Sequence, residues 1–163
     1  MSSGPRSAVM TGGCQCGAVR YALYTEPQGP HICHCRMCQK AFGSYFAPLA
    51  GVELADFAWT RGQPKLFNSS DVVERGFCAD CGTPLSFRYV DGVRIAVSLG
   101  SLDHPEAVKP KEQCGIEAVV PFFGDLHGLK SSKTEEDTPP ERLARIKTRQ
   151  HPDHDTERWP MHR

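Results

Sequence analysis

The sequence predicts a mainly β domain with at most short helices, and three observations support that prediction. Its apolar runs are five to seven residues long and are separated by glycine, proline and asparagine. Several of these runs alternate with a period of two, which is typical of half-buried strands. The dipeptide Asp91-Gly92 separates two of them, and Asp-Gly between such runs is a strong β-hairpin signal. Residues 12–130 contain no long segment with the 3.6-residue apolar period of a helix.

Five strand candidates follow one another along the chain. They are rich in valine, tyrosine, phenylalanine and tryptophan, the side chains that favour strands. In order they are AVRYALY (18–24), SYFAPL (44–49), DFAWT (56–60), PLSFRYV (84–90) and RIAVSL (94–99). The last two flank the Asp-Gly pair, so we expect them to form a hairpin.

Composition divides the chain into a loose leader over residues 1–11, one domain over 12–130 and a polar C-terminal extension over 131–163. The extension has too few apolar residues to form a core alone. Pro139-Pro140 is expected to open a short helix within it, because proline is tolerated in a first helical turn. The extension either wraps the domain, anchored by Trp159, or frays.

Charge and cysteine content narrow the functional classes. Lysine plus arginine equal aspartate plus glutamate at 19 each, and the sequence shows no aromatic–basic stripe, which argues against a nucleic-acid partner. No apolar run approaches the roughly 20 residues of a membrane helix. The start, MSSGPRSAVM, does not read as a secretory signal, so we expect a cytoplasmic protein. Eight cysteines in that reducing compartment indicate metal binding rather than disulfides.

Four cysteines form two close pairs that each end in glycine. Cys14 and Cys16 make a C-x-C-G, and Cys78 and Cys81 make a C-x-x-C-G. A metal-binding turn of this kind needs a sharp bend, and glycine supplies the positive φ cheaply. Together the pairs predict a closed, structural four-thiolate zinc site that clamps the N-terminal hairpin to the middle of the sheet. Iron in the same site, buried metal-free cysteines and disulfides are the alternatives.

Three further cysteines lie within the stretch HICHCRMCQKAFGSYF. Cys33, Cys35 and Cys38 form C-x-C-x-x-C, which can hold one metal from one side. A zinc ion with three protein ligands keeps a fourth position for water or substrate, as catalytic sites do. Arg36 and Lys40 flank these cysteines and would favour their ionised state.

Other interpretations of the triplet stay open. It is also compatible with an iron–sulfur site, or with a closed structural site completed by His31, His34 or Cys114. His34 lies between two ligands, so its side chain is expected to point away from the metal, which makes His31 the better candidate. Cys114 is most simply a small buried or half-buried residue. We interpret the remaining histidines, His104, His127, His151, His154 and His162, as surface residues.

With these motifs in this order, the chain resembles the glutathione-dependent formaldehyde-activating (GFA) family, whose domain type also occurs in centromere protein V. The resemblance runs from about Gly13 to Val120. It depends on the segments GGCQCGAVRY, CHCRMCQKAFGS, LFNSSDVVERGFCADCGTPLSF and LGSLDHPE. The sequence departs from the family pattern at Gln113–Ile116 and Pro121–Phe123, and these departures concern the substrate more than the fold.

The resemblance implies several small twisted antiparallel sheets in a zinc-stabilised β-tent, a fold shared with methionine-R-sulfoxide reductases. It implies that Cys14, Cys16, Cys78 and Cys81 hold a structural zinc ion. It also implies that Cys33, Cys35 and Cys38 hold a second, catalytic zinc ion.

The resemblance further implies a carbon–sulfur lyase that adds glutathione to formaldehyde. We therefore predict that this chain adds glutathione or a similar thiol to a small aldehyde, with Arg36 or Lys40, or backbone amides near Gly43, contacting the substrate. The alternative is a non-catalytic zinc-stabilised binding module or glutathione carrier. A homo-oligomer is compatible with the sequence.

Overall fold

The computed structural model of this protein describes residues 6–159. Residues 1–5 of the predicted leader, and 160–163 of the predicted extension with His162, lie outside the described residues. Within the described part, ten strands form two sheets and the helices are few and short, so the mainly β prediction is confirmed. None of the described helices has the length and apolar character needed to cross a membrane.

The strands are β1 Met10–Gly13, β2 Arg20–Leu23, β3 Gln28–Cys33, β4 Ala47–Glu53, β5 Phe57–Arg61, β6 Lys65–Ser70, β7 Val73–Phe77, β8 Pro84–Tyr89, β9 Arg94–Ser98 and β10 Glu112–Cys114. The α-helices are α1 Arg36–Phe42, α2 Thr134–Asp137 and α3 Pro140–Leu143. Short 3₁₀ helices occur at Leu54–Asp56, Leu99–Ser101, Pro105–Ala107, Ile116–Ala118 and Phe123–Gly128.

Strand pairing produces one small and one large sheet. The small sheet has the order β1-β2-β5, and the large sheet has the order β10-β3-β4-β9-β8-β7-β6. Neighbouring strands are antiparallel except β10, which pairs with β3 in parallel and places Cys114 opposite Cys33. The chain therefore returns, some 80 residues later, to the strand that carries the first cysteine of the triplet.

The predicted hairpin at Asp91-Gly92 is present. Strands β8 and β9 pair in antiparallel register, with Phe87 opposite Ala96. The backbone N–H of Gly92 donates to the carbonyl oxygen of Tyr89 over 3.0 Å and closes the turn. The two runs that flank the Asp-Gly pair thus form neighbouring strands, as their alternation predicts.

One hydrophobic cluster joins the two sheets. Tyr21 and Leu23 from β2 pack with Leu85 from β8 and Val97 from β9, and all four side chains are buried. Complete burial of an aliphatic side chain of this size stabilises the fold by about 1.5–3 kcal/mol. This cluster fixes β2 against the larger sheet, and Cys14 and Cys78 are buried members of it.

The end of the described chain wraps the domain. His151 is only 3% exposed, so its interpretation as a surface residue is wrong. Its backbone N–H donates to the carbonyl oxygen of Gln15 over 2.7 Å, and the Trp159 indole N–H donates to the carbonyl oxygen of Cys16. The two rings lie 4.6 Å apart. Of the two alternatives for the extension, wrapping with Trp159 as the anchor is the one observed.

Two buried charged residues reinforce the contact between the extension and the domain. Arg20 on β2 is buried and makes a two-pronged ion pair with Asp103, at 2.7 and 2.6 Å. Asp155 from the extension contacts the same guanidinium at 2.7 Å. Because a buried charge without a partner is costly, the extension adds to the neutralisation of Arg20.

Candidate metal centres

The first cysteine cluster joins the turns that follow β1 and β7. The Sγ atoms of Cys14, Cys16, Cys78 and Cys81 all lie within 4.8 Å of one another. The Cys14–Cys16 and Cys16–Cys78 sulfur separations are 3.6 and 3.7 Å. Four sulfurs placed tetrahedrally at about 2.3 Å from a zinc ion are about 3.8 Å apart. The donor set and its spacing therefore fit zinc. The sulfur–sulfur separations are much longer than a disulfide bond of about 2.05 Å.

The glycines after these pairs have the backbone conformation that the motif predicts. Gly17 has φ +76° and Gly82 has φ +78°, both in the left-handed region. Each glycine thus follows its second cysteine at the point where the chain turns back toward the sheet. A residue with a Cβ atom would be strained at either position.

Burial raises the pKa values of the Cys14 and Cys16 thiols overall, but individual hydrogen bonds to Cys14 and Cys81 favour the ionised sulfur. The backbone N–H of Val19 donates to Cys14 Sγ over 3.2 Å. The Thr83 hydroxyl lies 3.2 Å from Cys81 Sγ and accepts from the backbone N–H of Gln15. Burial raises the pKa of the Cys81 thiol, but the contacts with Thr83 and Cys16 outweigh it and lower the pKa to about 6. These contacts suit a site that binds metal as thiolates.

The cluster ties the N-terminal hairpin to the larger sheet. Cys14 and Cys16 follow β1, whereas Cys78 follows β7, which lies beside the edge strand β6 rather than at the middle of its sheet. The predicted clamp between hairpin and sheet is therefore geometrically available, one strand in from the edge.

The second cluster lies at the junction between β3 and α1. Cys33 ends β3, Cys35 is the N-cap of α1, and Cys38 lies in the first helical turn. The Cys35 sulfur accepts from the backbone N–H of Cys38 over 3.4 Å, as an N-cap side chain does. The three Sγ atoms lie within 4.8 Å of one another. A strand end followed by a capped helix thus brings all three sulfurs to one side.

The pKa values of these thiols differ in direction. Burial raises the pKa of the Cys33 thiol to about 12. Burial opposes ionisation of Cys35 as well, but hydrogen bonds from Cys38 and Cys33 and the positive charge of Arg75 lower the pKa of Cys35 overall. Burial raises the pKa of the Cys38 thiol too, although its contact with Arg75 opposes the shift. Metal binding at this cluster must therefore displace the protons of the Cys33 and Cys38 thiols.

Arg75 contacts the triplet and was not predicted from the sequence. Its side chain reaches from β7, is 6% exposed, and donates from Nη2 to Cys38 Sγ over 3.4 Å. Its Nε donates to Ser69 Oγ over 3.1 Å, and its guanidinium lies 5.0 Å from the Phe87 ring centroid. Buried Nη1 has no hydrogen-bond partner within residues 6–159. Leaving a donor unsatisfied costs about 1–3 kcal/mol, so this position needs a functional explanation.

A signal for Arg75 was present in the sequence. It lies between Val73 and Phe77 at a spacing of two, which is an inward position on a strand. An arginine at an inward position indicates a buried partner for its charge.

The two cationic residues that flank the triplet in the sequence do not point toward its sulfurs in the structure. Arg36 and Lys40 occupy the exposed face of α1, and Arg36 donates to the side chain of Gln39. Gln39 is buried, and its amide donates to the carbonyl oxygens of His34 and Ala118 over 2.7 and 2.8 Å. It therefore fixes α1 to the loop that follows β10. The substrate-contacting roles of Arg36 and Lys40 stay predictions.

The three candidate fourth ligands lie outside the triplet's sulfur group. His31 Nδ1 is 2.8 Å from the carbonyl oxygen of Gly29. His34 is fully buried and contacts Gln113 through Nε2 at 3.0 Å, so its side chain points away as predicted. Cys114 is exposed because β10 is an edge strand, so the expectation that it is buried or half-buried is wrong.

Gly115 holds the loop after β10 against the triplet. It has φ +61°, and a Cβ atom built there would lie only 2.7 Å from the backbone nitrogen of Cys35. The backbone approaches the helix N-cap so closely that only glycine fits. The segment Gln113–Ile116, where the sequence departs from the family pattern, is thus part of the wall around the cysteine triplet.

Comparisons with known proteins agree with this arrangement. The family described as "Glutathione-dependent formaldehyde-activating enzyme" matches residues 9–117. An uncharacterized lyase of Schizosaccharomyces pombe is 31% identical over 81 residues, which cover 50% of this chain and 58% of that protein. A crystal structure of a Rhodobacter sphaeroides protein is 23% identical, with a TM-score of 0.52, and the match covers 64% of this chain and 99% of that chain. The latter likeness supports the fold.

Proposed function

Because the chain belongs to the family of glutathione-dependent formaldehyde-activating enzymes, we propose that it promotes addition of glutathione or a similar thiol to formaldehyde or another small aldehyde. The observation that carries this proposal is the cluster of Cys33, Cys35 and Cys38, whose three sulfurs face one another beside buried Arg75. In the reaction the thiol sulfur bonds to the aldehyde carbon, and the thiol proton ends on the former carbonyl oxygen. The reverse reaction breaks a carbon–sulfur bond, which is lyase chemistry.

The three cysteines are proposed to hold a zinc ion. When bound, the ion supplies a coordination position at which an incoming thiol is deprotonated at neutral pH. Three thiolates and one divalent cation leave a net charge of about −1 on the site. Arg75 offsets this charge through its contact with Cys38, and in a buried environment such a contact is stronger than in water.

Residues of α1 are proposed to position the thiol. Arg36 and Lys40 are four apart, so they lie on one face of the helix and point into solvent. Two exposed cations suit the two carboxylates of glutathione. Holding the thiol beside the aldehyde removes part of the entropic barrier of a reaction between two molecules.

The four-cysteine cluster is proposed to be structural. With four protein sulfurs it fits a closed zinc site, whereas the triplet leaves a position for substrate. We therefore expect two zinc ions per chain, with the triplet site the more labile. Metal analysis during stepwise chelation tests this expectation, and one ion should leave before the other. Absence of zinc, or a coloured iron–sulfur cluster, would contradict it.

Calorimetry and kinetics test the activity. Glutathione should bind the wild-type protein, and Cys35→Ser should weaken binding at least tenfold, or ~1.4 kcal/mol. S-methylglutathione, which cannot form a thiolate, should bind weakly and equally to both proteins. The wild-type protein should also accelerate formation of the glutathione–formaldehyde adduct.

The outcomes separate an enzyme from a binding protein. Equal affinity of both proteins for glutathione would favour a zinc-stabilised binding module. Tight binding without acceleration with any aldehyde would favour a glutathione carrier. We place the proposed activity in the cytoplasm, where thiols are reduced, and all eight cysteines are free in the structure.

A further inference from the structure

A cavity of about 220 Å³ lies beside the triplet, between α1 and the β6–β7–β8 end of the large sheet. Its apolar wall is formed by Ala41, Phe42, Phe67, Phe77 and Pro84. Phe42 also packs in the same hydrophobic cluster as Cys38. The cavity therefore shares a wall with the cysteine triplet.

Arg75 connects the cavity to the sulfurs. It lines the cavity and also donates from Nη2 to Cys38 Sγ. Its buried Nη1 has no partner among residues 6–159, so the guanidinium beside the cavity has an unsatisfied donor. An apolar pocket with a single convergent cation is typical of a site that holds an apolar group and orients one polar atom.

The size of the cavity indicates what it can hold. An apolar protein cavity of about 150 Å³ accommodates benzene. The remaining volume, about 70 Å³, is room for roughly two to three more heavy atoms that each take up to about 30 Å³. Formaldehyde would leave most of this volume unfilled, and glutathione is both larger and too polar for aromatic walls.

We propose that this cavity is an aldehyde pocket that selects aldehydes carrying an apolar group about the size of a phenyl ring. This inference rests on the proposed thiol addition. The ring packs between Phe42 and Phe67, the aldehyde carbon faces the triplet, and the carbonyl oxygen accepts from Arg75. The thiol sulfur bonds to the aldehyde carbon while the carbonyl π electrons move to oxygen, which takes the thiol proton. The addition consumes no oxidant or reductant.

Two neighbouring residues on β6 provide a matched test. Phe67 lines the cavity, and its register partner is Arg75, whereas Leu66 is paired with Gly76 and faces the other side of the strand. Phe67 is 60% exposed and Leu66 is 52% exposed, so replacing either by alanine should leave the fold intact. Phe67→Ala removes part of the pocket wall, and Leu66→Ala is the control.

Binding is measured first, with 2-phenylethanol as a probe that has the ring but no reactive carbonyl. Ligand-observed NMR should show binding to the wild-type protein, at least fivefold weaker in Phe67→Ala and within twofold of wild type in Leu66→Ala. Equal affinity in the two variants, or no binding to wild type, would overturn the pocket.

Rates are measured second, by exchange NMR with glutathione and either phenylacetaldehyde or formaldehyde. Phe67→Ala should slow addition to phenylacetaldehyde at least fivefold more than it slows addition to formaldehyde, and Leu66→Ala should keep both rates within twofold of wild type. Acceleration with formaldehyde alone would overturn the aldehyde pocket and leave the proposed function standing. No acceleration with either aldehyde would overturn the proposed function and the aldehyde assignment together, whereas Phe67-dependent binding of 2-phenylethanol would still support a ring-binding pocket.

Discussion

Replacing Gly115 by alanine should release metal from the cysteine triplet while the four-cysteine site keeps its ion. The new methyl group would lie 2.7 Å from the backbone nitrogen of Cys35, 3.0 Å from its Cβ and 3.1 Å from its Cα. These atoms belong to the helix N-cap and have no flexible end that can swing away. The methyl group must therefore move Cys35 or the loop itself.

The size of the effect follows from these distances. Ordinary contact begins near 3.4 Å, so the shortest of them is 0.7 Å too close. Metal–ligand distances tolerate deviations of only about 0.2 Å. Changes in the surroundings of metal ligands typically cost 10–100-fold in metal affinity, or about 1.4–2.7 kcal/mol. We expect the triplet of Gly115→Ala to bind zinc at least tenfold more weakly than the wild type.

Gly43→Ala is the matched control. Gly43 has φ +58°, almost the same as Gly115, but a Cβ atom there meets nothing within 4 Å. Both variants therefore incur the left-handed backbone penalty of about 1–2 kcal/mol, and only Gly115→Ala adds the collision with Cys35. Gly115→Ala should therefore melt below Gly43→Ala, because the collision and the weaker binding of metal to the folded state both lower its stability.

Zinc competition with a chromophoric chelator measures the result. The wild-type protein and Gly43→Ala should release their first ion at similar chelator concentrations, and Gly115→Ala should release it at a concentration at least tenfold lower. The second ion should leave all three proteins together. Equal zinc affinity of Gly43→Ala and Gly115→Ala would refute the argument that the loop after β10 positions the triplet.

Three other predictions test the remaining assignments. Cys78→Ser should unfold the protein, because a closed zinc site contributes folding energy directly, whereas Cys35→Ser should leave a folded domain without its second metal. Circular dichroism with metal analysis distinguishes the two results, and equal loss of fold in both variants would contradict separate structural and catalytic sites. Arg75→Met, which removes the charge beside the sulfurs, should slow glutathione–formaldehyde addition at least tenfold without changing the circular dichroism spectrum, and an unchanged rate would show that the charge is not used. Burial holds the pKa of His151 below its ordinary 6.5, so the stability from docking its neutral ring is present above that pH and is lost as the pH falls below it. Trp159 fluorescence, read with the other tryptophan replaced by phenylalanine, should therefore report undocking only as the pH falls below about 6.5. His151→Asn should abolish this pH dependence, and a flat wild-type signal contradicts it.

Sequence patterns identified the strands whose own residues alternate and are rich in aromatic side chains. The runs at 18–24, 84–90 and 94–99 contain β2, β8 and β9, and the run at 56–60 covers β5 except Arg61, because their alternation and aromatic content suit strands. The run at 44–49 overlaps only the first three residues of β4. Strand β3 has the sequence QGPHIC and was not predicted, because glycine and proline interrupt its apolar pattern. It forms because β4 and β10 pair with it on either side. Long-range pairing of this kind leaves little trace in local sequence.

Spacing was sufficient to group the cysteines and insufficient to predict the residues around the two clusters. Seven cysteines sort into the groups of four and three that the structure brings together, because short sequence separations restrict which sulfurs can meet. The contact between Arg75 and Cys38 spans 37 residues and depends on how α1 packs on the sheet. The same holds for His151, which Arg61 contacts from 90 residues away and which donates its backbone N–H to Gln15 near the start of the chain. Such contacts require the tertiary fold.

The two halves of the four-cysteine cluster are far apart in the sequence, and this separation affects how the protein folds during its synthesis. Ribosomes add about 5–20 residues per second, so Cys78 is synthesised on the order of 3–12 s after Cys16. During that interval the first two thiols have no partners, and Arg20 is still without Asp103. The N-terminal hairpin therefore cannot settle until most of the domain has been translated. Its early thiols depend on reduced surroundings, or on a chaperone, for as long as translation of the intervening strands lasts.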